Sequence, residues 1–193
     1  WGAGGQLDPV VLPPEWAEAR AVVHDRPGPV ASLPWAQYFD LNVAGGRRVL
    51  DVMPSYLGGD VLVASDPHLG ADPARERADP REPTMDLLAL RVQAGEDVGA
   101  SLADLGVRWV VLQHDIDWQT YDALRRDPGL RRVVDGPTLE LFEVVDWRGP
   151  VRTDEGEALD ASGPVSPVQA VDGSGPATWS RPGAWGWLRG AEA

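Results

Sequence analysis

Leu102-Ala103-Asp104-Leu105-Gly106-Val107-Arg108-Trp109-Val110-Val111-Leu112 is the stretch that decides the fold of this chain. Its first half closes a helical segment spanning Val98 to Leu105, with Leu102 and Leu105 facing inward and Gly106 as the helix terminator. Its second half is an almost unbroken apolar run, the pattern of a strand buried on both faces inside a sheet. A helix passing through glycine into an interior strand is the joint of a layered α/β domain.

Outward from that joint, the pattern repeats in both directions. Upstream, Thr84 is the expected N-cap of a helix carrying Met85, Leu87, Leu88, Leu90 and Val92. Downstream, a helix is expected from Asp117 or Gln119 through Arg126, closed by Asp127-Pro128-Gly129. Leu130 to Val134, a turn at Asp135-Gly136 and the alternating Thr138 to Val144 then predict a hairpin. Near the start, Pro13-Pro14-Glu15 opens a helix with Trp16, Ala19, Val22 and Val23 on one face. Val30 to Leu33 is a strand ending at Pro34, and Trp35 to Phe39 follow at its end, where open α/β sheets place working loops. Asp40 to Gly59 reads as loop with a short strand around Val49 to Val52, and Asp60 to Ala64 as a strand or a helical turn. Ser65 to Pro83 reads as a long surface loop. The expected architecture is an α/β layered domain over residues 1–147, with a mixed, partly parallel sheet flanked by helices and closed by a terminal β-hairpin. Residues 148–193 are expected to form an extended Gly/Pro-rich tail that can pack back on the domain or add a strand around Val168 to Val171.

Composition narrows the function classes. The net charge of -13 sets up a field that repels phosphate backbones, which excludes nucleic acid as a partner. Every basic residue is Arg, and Cys is absent, so no disulfide, zinc–thiolate or cysteine-nucleophile chemistry is available. No stretch approaches the roughly 18 apolar residues that span a bilayer. The opening Trp1 and the Trp- and Arg-bearing segment Trp179 to Trp187 lead to the expectation of a piece of a longer reading frame, its end meeting a membrane interface or folding back on the domain.

Candidate chemistry is sparse. Gln113-His114-Asp115-Ile116-Asp117-Trp118 places an imidazole and two carboxylates at the end of the central strand. Neighbouring residues of an extended chain point to opposite sides, so His114 and Asp115 do not readily share a ligand, and Asp115 or Asp117 capping the next helix is the simpler expectation. Ser65-Asp66-Pro67-His68 has hydrolase residue types without a nucleophile elbow, and three such close neighbours cannot form a triad with one another. Gly45-Gly46 and Gly58-Gly59 make no phosphate loop, and the acids between Asp66 and Asp79 lack calcium-loop spacing. No catalytic residue, metal ligand or cofactor is therefore assigned. Trp35, Tyr38 and Trp118, beside His114 and Asp117, form a candidate sugar-stacking platform.

Three segments together, Val30 to Trp35, Leu102 to Leu112 and Leu139 to Val144, resemble the soluble region that follows the membrane spans of GT-C-type glycosyltransferase-like proteins, in the form found in GC-rich actinobacteria. The likeness covers about residues 15–147. It implies a polytopic full-length protein that uses a polyprenyl-phosphate-linked sugar in cell-envelope glycan assembly, with catalytic carboxylates outside this chain. The domain would then be a non-catalytic extracytoplasmic module, its partners the transmembrane region of its own chain and envelope glycan or polyprenyl-linked sugar. The competing expectations are a free-standing hydrolase or metal-dependent enzyme using His68 and His114, and a protein-interaction domain.

Overall fold

The computed structural model describes residues 11–41, 46–64, 79, 81–115, 117–150, 152–153 and 178–179. Its centre is a five-stranded mixed sheet. Parallel strands β1 (Val30–Leu33) and β5 (Trp109–Gln113) lie side by side, and β4 (Val61–Leu62) pairs parallel to the other edge of β1. The hairpin β6 (Leu130–Asp135) and β7 (Leu139–Val144) adds two antiparallel strands beyond β5, giving the order β4-β1-β5-β7-β6. The α/β class, the mixed sheet and the closing hairpin are thus as the sequence predicts.

Both faces of the sheet are covered, which is why β5 is buried at every position. On one face, α3 (Glu82–Gln93) and α4 (Gly99–Asp104) pack Met85, Leu88, Val92 and Leu102 onto Leu33, Val110 and Leu112. On the other, α1 (Pro14–Asp25), the antiparallel pair β2 (Tyr38–Leu41) and β3 (Arg47–Leu50), and the short α2 (Met53–Leu57) bring Trp16, Phe39 and Met53 onto Trp109 and Val111. Gly106 ends the α4 region with φ of +78°, the left-handed turn that glycine adopts without a Cβ clash. Asp127 caps α4 from a distant loop, accepting from the Val98 and Gly99 amides at 2.6 and 2.7 Å. That bond holds Gly99 so close to Gly129 that a Cβ on Gly99 would sit 2.6 Å from the Gly129 Cα.

Several expectations are corrected. Thr84 is not a cap: α3 starts two residues earlier, and the N-cap position is Arg81, with no side-chain capping bond. Arg81 is instead completely buried, donating to Asp79 and to both carboxylate oxygens of Asp60 at 2.6–2.9 Å, so it ties α3 to the start of β4. The region Asp40 to Gly59 is not a loop with one strand but contains β3 and α2, with β2 reaching into it. The helix expected after Asp117 is present, as a 3₁₀ helix (Trp118–Arg125). Asp117 occupies its N-cap position with φ of 58°, and its side chain makes no capping bond. β7 is not half-buried: five of its six residues are buried and the sixth is intermediate, because α4 and the 3₁₀ helix cover one face and α1 the other.

In the tail, Arg152–Thr153 pairs in parallel with Thr178–Trp179. The expected strand near Val168 to Val171, and Ser65-Asp66-Pro67-His68, lie outside the described residues.

Candidate functional site

The chain leaves β1 towards the α1/α2 face, through β2, β3 and α2, and leaves β5 towards the α3/α4 face, through the 3₁₀ helix. Where adjacent parallel strands send their following segments to opposite faces, a crevice opens at their carboxyl ends. The sequence candidates follow those two strand ends: Trp35 and Tyr38 after β1, His114, Asp117 and Trp118 after β5.

His114 and Trp118 are brought together. Their rings stack with centroids 3.9 Å apart and planes 17° from parallel. His114 Nδ1 is 2.8 Å from the Pro137 carbonyl, and its Nε2 is 3.3 Å from Oε2 of Glu140. Glu140 is 1% exposed although it sits on a strand beside the sheet's end. The Arg125 guanidinium grips both of its oxygens at 2.7–3.1 Å, and Arg132 adds a bond at 2.5 Å. Burial pushes the Glu140 carboxyl up, but the hydrogen bonds from Arg125, Arg132 and His114 outweigh it and hold it below the ordinary glutamate range. Arg125 also lies over the Trp118 ring at 4.9 Å and pairs with Asp122. The result is a half-buried aromatic shelf on a fixed ionic base. A carboxylate so fully gripped by cations is a poor proton acceptor, so the arrangement suits contact rather than acid/base chemistry.

Trp35 joins the same rim. Its indole donates to Asp86 at 2.6 Å, its backbone amide donates to the Tyr121 hydroxyl at 3.0 Å, and both Trp35 and Trp118 pack on the α3/α4-side core. Tyr121 also accepts from Gln93, and burial pushes its phenol above the ordinary range. Tyr38 does not join them; it is half-buried on β2 with the Arg48 guanidinium 5.7 Å from its ring centre. Asp117 is exposed, and it is its carbonyl that accepts, from the Thr120 amide at 2.9 Å and hydroxyl at 2.7 Å.

On the opposite face of β5's end lies a polar cluster that the sequence reading did not single out. Gln113, 1% exposed, donates from Nε2 to Ser32 Oγ at 3.1 Å and to Asp51 Oδ1 at 3.2 Å. Asp51 Oδ1 also accepts the Met53 amide at 2.9 Å, and Ser32 hydrogen-bonds the same carboxyl. Burial dominates over these bonds and raises the Asp51 carboxyl above the ordinary aspartate range. A signal was present: Asp51 and Gln113 each interrupt or end an apolar run.

Among the described residues, no group of three or more His, Cys, Asp or Glu side chains could hold a metal ion, and no helix is long and apolar enough to cross a membrane. No protein-family model matches the chain, and no curated protein or solved structure matches it at a significant level.

Proposed function

We propose that this chain is a non-catalytic extracytoplasmic accessory domain of a polytopic membrane glycosyltransferase-like protein in cell-envelope glycan assembly, and that the shelf formed by His114 and Trp118, with Trp35 at its rim, contacts glycan. The observation that carries the reading is the stacked His114–Trp118 pair over a Glu140 already gripped by Arg125 and Arg132. Such a shelf offers rigid aromatic surface without a free acid or base. The resemblance to GT-C-type proteins adds support, since its three segments are the central strands β1, β5 and β7 together with α4.

The test is a titration of the full chain with soluble cell-envelope oligosaccharides, followed through the indole N–H resonances. Saturable shifts at Trp118 and Trp35, lost in Trp118→Ala, are expected. Leu87 and Leu90, both exposed on α3, favour the competing reading of a protein-interaction domain. A titration that leaves every indole unmoved moves the case to that reading.

A further inference from the structure

The Ser32–Asp51–Gln113 cluster holds two oxygens without a donor. Asp51 Oδ2 and Gln113 Oε1 are both closed to water, and neither has a hydrogen-bond partner. Leaving a buried polar atom unpaired is costly, so two in one cluster call for an explanation. A ligand does not supply it, since neither atom has surface that even a water could touch.

A proton does. The two groups already meet through the Gln113 Nε2–H to Asp51 Oδ1 bond. A carboxylic acid facing a primary amide can close a second bond, from its own O–H to the amide oxygen, and one such bond satisfies both orphans. We infer that Asp51 carries a proton in the folded protein, that its Oδ2–H donates to Gln113 Oε1, and that this acid–amide pair latches the β2–β3 hairpin and α2 onto the carboxyl ends of β1 and β5.

The surroundings fit a neutral acid. The groups acting on Asp51 are the Ser32 hydroxyl from β1, the Gln113 amide from β5 and the Met53 backbone amide from α2, and no charged side chain is among them. The Asp51 amide donates to the Gln37 carbonyl at 2.9 Å, so the same residue fixes the chain where the hairpin begins. Loss of the proton would leave both oxygens unpaired and a carboxylate on which, among the described residues, no cation acts. The latch is therefore closed in acid and loosens as pH rises through the folded-state value, because a raised acid contributes its stability below the unfolded value of about 3.9 and loses it as the proton leaves.

The decisive experiment is a carbon-13 titration of the Asp51 side-chain carboxyl in the full chain, with amide hydrogen exchange over residues 38–57 as the readout of the latch. The carboxyl is expected to titrate above the ordinary aspartate range. Protection across the hairpin and α2, corrected for intrinsic exchange, is expected to fall about tenfold or more as the proton is lost. In Asp51→Asn, which keeps an uncharged group there, protection should no longer follow pH. A carboxyl titrating in or below the ordinary range overturns the inference, and would instead indicate a Gln113 amide turned over, its N–H donating to an ionised Oδ2. Protection that ignores pH in the wild-type chain overturns the latch. Both readouts come from the wild-type chain, so they hold even if the variant does not fold.

Discussion

Glu140, buried, and Asp51, a half-buried residue whose Oδ2 is closed to water, are two acids at the same end of β5, on opposite faces of the sheet, and they are pushed in opposite directions. Glu140 stands across from Leu112, and Asp51 touches Gln113, the next residue along. Successive strand residues face opposite sides, so one acid meets the 3₁₀ helix and the other meets α2 and the hairpin. Glu140 finds Arg125 and Arg132 and is held ionised; Asp51 finds a hydroxyl and two amide groups, and burial wins. Burial alone therefore decides nothing about a carboxyl's charge. The supply of cations on its face does.

The comparison breaks first at the cations. Arg125→Met with Arg132→Met leaves a buried Glu140 without a guanidinium, and urea unfolding is expected to show a loss of about 3 kcal/mol. Adding Glu140→Gln should recover most of it, since the damage is the stranded charge rather than the missing contacts. A loss well under 1 kcal/mol in the double variant would mean that water replaces the arginines, and the contrast with Asp51 would lose its basis.

A smaller effect sharpens the contrast, because the two acids tilt stability oppositely with pH. Glu140, lowered in the folded state, contributes stability present above its unfolded value of about 4.3 and lost as pH falls through its folded value. Asp51, raised, contributes stability present in acid and lost as pH rises. Urea midpoints measured across the acid-to-neutral range should therefore fall less on acidification in Glu140→Gln than in wild type. In Asp51→Asn they should rise relative to wild type at the alkaline end. Parallel profiles for the two variants would refute the opposed assignment.

Much of the fold on both faces could be read in advance, and the electrostatics could not. β1 and β5 were legible because interior strands leave apolar runs, β7 because its residues alternate, and α1 and α3 because their apolar faces recur at helical spacing. α2 was not, since the five residues Met53 to Leu57 are too few to show a period. β2 and β3 were hidden by Asp40, Arg47 and Arg48 in a pair that lies outside the main sheet. Among the site residues, the sequence placed His114 and Trp118 together only as members of one candidate platform at the end of β5. It could not show that Glu140 meets Arg125 across 15 residues, or that Asp51 meets Gln113 across 62. On its strand Glu140 reads as a solvent-facing residue of an alternating pattern, and only the 3₁₀ helix laid over it makes it buried.

The smallest effect concerns Asp117, where the sequence reading and the structure part over one residue. A side-chain cap would make Asp117 worth keeping, and even glycine would lose a few tenths of a kcal/mol there. The structure instead gives Asp117 a left-handed backbone with its carbonyl, not its carboxylate, holding Thr120. A non-glycine residue in that conformation is strained by an amount that glycine avoids, though glycine adds freedom to the unfolded chain. The balance predicts that Asp117→Gly raises stability by about 0.5 kcal/mol, read as a melting temperature higher by about 1–2 °C. A lower melting temperature would show that the carboxylate does cap the 3₁₀ helix in solution. Asp117 would then belong with the residues that position the His114–Trp118 shelf, instead of merely turning the chain into it.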